Sequence, residues 1–302
     1  MTPMIPILLA FVLQAPPAAP RTVHPATIVD ALVAMLAERY QDEAVGKRLA
    51  ADLAARRDRG EYAALTTPDA LAPRLTADLQ AISHDKHLRV FAEPRQPPQA
   101  PGGGIGKVDV LDGNVGLIEV TSFGQPLELF EPALAAAMEK VAKVRALVID
   151  LRTNGGGRPD TVATLIAYLR DPGSELLATV TSRQTPVREV RTPAKIAGPR
   201  FGRTRPVYLL TSGRTFSAAE ACAYDLQALK RVTIVGEVTG GGANPGGQVP
   251  LPDGMAVFIP TGHVANAITH ANWEGVGVKP DILTAADAAL GAALAAAGRL
   301  HL

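Results

Sequence analysis

Apolar residues recur at helical spacing through residues 25–79. In ATIVDALVAMLAERY, Ile28, Leu32, Met35 and Leu36 share one face. Further helical stretches are expected around residues 45–55 and 68–82, so residues 21–95 read as a small helical bundle domain. The segment EPRQPPQAPGGGIG then breaks the pattern. Its Pro and Gly density marks a linker at residues 96–106. Beyond it the period changes. Short apolar runs of buried-strand type stand at 115–120 (VGLIEV), 146–151 (ALVIDL), 175–182, 206–212, 232–237 and 255–260. Helical segments at 129–143, 160–169 and 218–230 separate several of them. Strands alternating with helices predict an α/β domain with crossover connections, spanning 107–290, with 291–302 left as a C-terminal tail.

Composition narrows the function classes. With 47% hydrophobic residues in a 302-residue chain, a sizeable core is expected and global disorder is not. A net charge of +1 and an aromatic content of 4% argue against a nucleic-acid partner. The one cysteine, Cys222, allows no intrachain disulfide and no CxxC metal site. The opening MTPMIPILLAFVLQAPPAAP has an apolar run followed by small residues and prolines. It reads as a signal peptide over residues 1–20, although it lacks a basic n-region. Export to the periplasm or medium is the expectation. The apolar run is too short to span a bilayer.

Three glycine-containing turns each follow a predicted strand. The first, DLRTNGGG (150–157), fits neither a GxGxxG nor a P-loop signature. Its bare N–H groups suit either an oxyanion or a tight turn needing positive φ. The second, TSGRTFSAAE (211–220), ends a strand and starts a helix at Ser217. Ser217 and Glu220 form a capping-box pattern, which by itself explains the serine. The geometry also resembles a nucleophile elbow without its Gly-x-Ser-x-Gly signature, and the Ala218 N–H would face an oxyanion on Ser217. A serine nucleophile needs a base. The third turn, GEVTGGGANPGG (236–247), is generic alone. Base candidates include His84 and His87 in ISHDKHLRV, and NWEGVGVKPDI supplies Glu274 beside Trp273.

In this order and spacing the motifs resemble the tail-specific (C-terminal-processing) serine protease superfamily. They are most similar to the branch of the interphotoreceptor retinoid-binding protein modules and the tricorn protease core. The resemblance covers residues 84–282. It implies a crotonase-like α/β core with an N-terminal helical domain and acyl transfer to serine. Ser217 matches the nucleophile of a TxSAxE motif. Ala218, with Gly155 or Gly156 of TNGGG, matches the oxyanion hole. Where one branch carries a lysine, this chain has Gly242, which disfavours a Ser–Lys dyad. The D-x-H motif at 85–87 and WEGVGVKPD at 273–281 imply His87 as base and Glu274 as its orienter, with His84 the fallback. Lys86 departs from the tricorn pattern, which has a serine before the histidine; an extended backbone would turn it to the opposite face. The stretch from His87 to Val115 is too short for a PDZ domain, so specificity for C-terminal tails is not carried over.

The expected partner is a peptide or protein substrate, with no metal or organic cofactor. A non-catalytic apolar-ligand binder on the same fold is the alternative. A crotonase-type acyl-CoA enzyme would need an adenine and phosphate site, for which no motif exists, so no CoA is expected.

Overall fold

The computed structural model describes residues 21–95 and 100–299. The expected leader at residues 1–20, and residues 96–99 of the expected linker, lie outside the described residues. The described residues open with three helices, α1 (Pro25–Arg39), α2 (Glu43–Asp58) and α3 (Pro68–Ser83). The apolar stripe of α1 turns inward, with Ile28, Leu32 and Leu36 fully buried and Met35 packed at its edge. Asp42 caps α2 by accepting the Val45 N–H at 2.9 Å. Helix α3 starts at Pro68 and stops where His84 adopts φ 54°.

Among the described residues twelve strands and four more α-helices follow: β1 (Arg89–Phe91), β2 (Ile105–Leu111), β3 (Val115–Val120), α4 (Leu127–Lys140), β4 (Ala146–Asp150), α5 (Pro159–Tyr168), β5 (Leu176–Ser182) and β6 (Arg188–Arg191). The remainder are β7 (Val207–Thr211), α6 (Ala218–Ala228), β8 (Thr233–Gly236), β9 (Gly246–Pro250), β10 (Ala256–Pro260), β11 (Gly262–Asn266), β12 (Ile282–Leu283) and α7 (Ala289–Arg299). The central sheet has the order β12-β8-β7-β4-β3-β2. It is parallel from β3 to β12, and β2 joins its edge antiparallel.

Strands β3, β4 and β7 are buried on both faces, which explains their continuous apolar runs. Ile118, Ile149 and Leu209 face helices α4 to α6. Leu117, Val148 and Leu210 alternate with them onto the opposite face, where α7 lies. Residues 291–299, expected to be tail, are therefore part of a helix that covers the sheet through Ala289, Ala293 and Ala297. Strands β11, β5 and β6 form a separate antiparallel sheet.

The helical segment does not stand apart. Strand β1 pairs antiparallel with β10, which pairs with β9. Leu251, Met255, Val257 and Ile259 from this far part of the chain share the core of α1–α3. No helix among the described residues is long and apolar enough to cross a membrane. Because β4, β7 and β8 run parallel, their C-terminal ends lie at one edge of the sheet. The three glycine-containing turns leave from that edge, where parallel α/β sheets gather their binding loops.

Candidate active site

Ser217 sits between β7 and α6 with φ 55° and ψ −120°. This region of backbone space is costly for a residue with a Cβ and needs outside support. The support is visible. Thr215 is fully buried, donates its hydroxyl to the Leu151 carbonyl at 2.9 Å and accepts the Ser212 N–H at 3.0 Å. The Phe216 N–H reaches the Asn154 carbonyl, and the Gly240 N–H reaches the Thr215 carbonyl. The elbow is thus tied to both flanking loops.

In the first loop, Asn154 is fully buried and donates to the Val120 carbonyl at 2.9 Å. Its Oδ1 accepts the Gly156 N–H at 2.9 Å. Gly156 therefore spends its donor inside the loop, whereas the expectation left Gly155 and Gly156 open as alternatives for the oxyanion hole. Its φ of 108° and a notional Cβ only 2.8 Å from Ser217 Cβ leave no room for a side chain there. Gly155 opens onto the cavity beside Ser217 and Ala218.

Glu220 is fully buried and does more than cap α6. Its Oε2 accepts the N–H groups of Ser217 at 2.8 Å and Gly242 at 2.9 Å. Its Oε1 accepts the Gly241 N–H at 2.6 Å and the Thr239 hydroxyl at 2.5 Å. Burial nevertheless raises its pKa, with the four donors opposing the shift. One carboxylate thereby fixes the third loop onto the elbow. A Cβ on Gly242 would lie 2.3 Å from Phe216 Cζ and 2.8 Å from His87 Cε1. The space a longer side chain would need is filled by those two rings.

His87 lies just before β1, 9% exposed, between the rings of Phe216 and Phe258 at centroid distances of 4.6 and 5.4 Å. Its N–H binds Asp85 Oδ1 at 2.9 Å, and its Nδ1 is 3.9 Å from that same oxygen. Asp85 Oδ2 accepts from Asn244 at 2.9 Å and from the Tyr40 hydroxyl at 3.3 Å. Glu274 Oε2 accepts the Ala243 and Asn244 N–H groups at 2.5 and 3.1 Å. Its Oε1 and His87 Nδ1 are both buried without a hydrogen-bond partner among the described residues. Ligand atoms of Asp85, His87 and Glu274 fall within 4.8 Å of one another. The same three side chains suit either a metal ion or an imidazole flanked by two carboxylates.

Electrostatics separate their roles. Burial holds the His87 ring below the ordinary histidine range, with Asp85 opposing and Arg89 reinforcing the shift. Burial, then the Asp85 charge, pushes Glu274 up to about 7. His84 is an exposed helix-terminating residue outside the cavity lining. Lys86 is exposed and donates to the Gly240 carbonyl at 2.5 Å.

A cavity of about 550 Å³ is lined by both Ser217 and His87, together with Gly155, Ala218 and Trp273. Ser217, Ala218, Gly155 and His87 therefore share one cleft, with Glu274 behind His87. Sequence reasoning overlooked Asp85 as a second carboxylate, Asn154 as the loop's clamp and Asn244 as a link between Asp85 and the third loop. For Asp85 the signal was present in the D-x-H spacing. For the two asparagines, no spacing singled them out.

Residues 114–284 match the profile of peptidase family S41, and residues 21–109 match the N-terminal domain of Peptidase_S41 in eukaryotic IRBP. A carboxy-terminal-processing protease of Bartonella bacilliformis is 26% identical over 176 residues, covering 57% of this chain and 39% of that protein. The carboxy-terminal processing protease CtpA of Bacillus subtilis is 27% identical over 180 residues, covering 58% of this chain and 36% of that protein. The matches thus span well under half of each relative's length. A putative peptidase from Parabacteroides merdae shares the fold, with a TM-score of 0.64, 21% identity, and coverage of 90% of this chain and 96% of that one. The family match extends over more than half of the chain and includes the loops that carry Ser217 and Glu274: the chain belongs to peptidase family S41.

Proposed function

We propose that this chain is a serine peptidase acting on peptide or protein substrates through an acyl-enzyme on Ser217. The observation that carries this reading is the shared cleft: Ser217, in a backbone conformation that needs active support, lines the same cavity as the buried His87. A serine that only capped a helix would need neither feature. In the proposed reaction Ser217 Oγ attacks the scissile carbonyl and its proton passes to His87 Nε2. That proton then goes to the leaving amine, and water, deprotonated by His87, releases the acyl group. Gly155 and Ala218, whose N–H groups have no acceptor among the described residues, form the oxyanion hole; each such donor is typically worth ~10²–10³ in rate. Gly156 shapes the hole through Asn154 rather than donating to it. Glu274 orients His87 from the Nδ1 side, assisted by Asp85.

On this reading the fold is crotonase-like, with the helices α1–α3 as an N-terminal bundle. The leader-like residues 1–20 support export, which N-terminal sequencing of the protein recovered from periplasm or medium tests. The test of the chemistry is a fluorophosphonate probe on the intact protein. Labelling at Ser217, abolished in Ser217→Ala, is expected; an unlabelled folded protein would favour the alternative, a binder of apolar ligands. The valine-rich cavity wall is the observation on that side.

A further inference from the structure

Helix α6 turns a single face to the cleft. Ala218, Ala221 and Asp225 all line the cavity, at spacings of three and four residues. The two alanines leave the space above the helix open, and Asp225 closes its far end. Eight residues of helix separate Asp225 from Ser217, ~12 Å along the axis. The walls between are apolar, formed by Val162, Ala178, Val180, Val264 and Trp273.

Asp225 is 4% exposed. Its Oδ1 accepts Asn266 Nδ2 at 2.7 Å, and Asn266 is the hydrogen-bond donor that holds the carboxylate. Asn266 is fixed in that orientation because its own Oδ1 accepts the N–H groups of Ile268 and Thr269, each at 2.9 Å. No cationic side chain among the described residues compensates the carboxylate. Burial therefore pushes Asp225 up to about 7, against the Asn266 hydrogen bond. Buried carboxylates are ordinarily paired, because isolated ones are expensive to desolvate. A carboxylate at the end of an open apolar slot can receive that pair from a ligand. Arg188, the cation of the lining, is solvent-exposed on β6, where its field is screened.

We propose that this slot holds the substrate side chain on the acyl side of the scissile bond, and that Asp225 selects lysine or arginine there. The proposal rests on the serine-peptidase reading for its reaction, but not for its binding. The distance from Ser217 calls for a long side chain, the walls for an apolar stem, and Asp225 for a terminal cation.

Two measurements on the full chain test it. The first compares one fluorogenic peptide scaffold with lysine, arginine, tyrosine or leucine at the position before the cleaved bond. Lysine and arginine should lead, and Asp225→Asn should lower their kcat/KM by ~10² or more while leaving leucine within a few-fold. A wild-type preference for tyrosine or leucine overturns the proposal, as does an equal loss for all four in Asp225→Asn. The second needs no nucleophile: benzamidine titrated into Ser217→Ala should raise its melting temperature, and the added Asp225→Asn change should remove the rise. Absence of any benzamidine effect overturns the pocket even if Ser217 labels with the fluorophosphonate. Benzamidine binding in a protein whose Ser217 never labels leaves the pocket standing and removes the catalytic reading instead.

Discussion

Glu220 grips the backbone N–H of Ser217 at 2.8 Å with the same oxygen that holds Gly242. The strained elbow and the loop opposite it are therefore one rigid piece. Glu220→Gln is expected to break it, because four donors converge on the two carboxylate oxygens and an amide would turn its own donors toward two of them. An unsatisfied buried donor costs about 1–3 kcal/mol. Thermal denaturation should show that loss, and kcat should fall ~10²-fold as the oxyanion geometry loosens.

Gly242 gives a second prediction. Its notional Cβ falls 2.3 Å from Phe216 Cζ, so even Gly242→Ala forces Phe216 or His87 to move. Fluorophosphonate labelling should slow by ~10² or more. Gly242→Lys should abolish labelling rather than create a working Ser–Lys pair, which a single labelling gel decides.

The raised pKa of Glu274 predicts two pH effects of opposite sign. In its proposed role as orienter Glu274 must be ionised, so kcat/KM should rise as pH increases through about 7. Glu274→Gln should lower kcat and remove that limb. Stability runs the other way. The folded value lies above the ordinary 4.5, so the folded protein binds the proton more tightly than the unfolded chain. The contribution is fully present below 4.5 and lost as pH rises through about 7. Asp225 titrates with the same sign, so the Glu274 effect is the difference between wild type and Glu274→Gln melting curves taken at pH 5 and pH 8.

Asn154→Ala removes the acceptor of the Gly156 N–H and the donor to the Val120 carbonyl. About 1–3 kcal/mol of stability should go with it. If Asn154 only braces the loop, KM should barely move while kcat drops; steady-state kinetics on a peptide substrate separates the two.

Much of the α/β layout was legible because β3, β4, β7 and β8 carry dense runs of branched apolar residues. Strands β6 (REVR) and β9 (GGQVP) carry no such run, since they are mostly exposed and owe their form to partners distant in sequence. Helix α7 was read partly as tail because alanine carries a weak hydrophobic signal, although Ala289, Ala293 and Ala297 form a buried stripe. At the site, Ser217 and His87 were legible through motif order. The grip of Glu220 on the third loop was not, because a capping-box pattern specifies local bonds and says nothing of the strand that returns from beyond it. Asp225 belongs to no motif of the sequence, and β5 and β11, distant in the chain, line the cavity with it.

The pairing of β1 with β10 has a bearing on biosynthesis. His87 is seated by Phe258, on β10, and its partner Asp85 by Asn244, and both lie later in the chain than Ser217. On the proposed chemistry, a nascent chain that has already made its serine still lacks the surroundings that position the base. Hydrolytic power then appears only when the stretch carrying Asn244 and Phe258 has been made and has folded back onto the segment that carries Asp85 and His87.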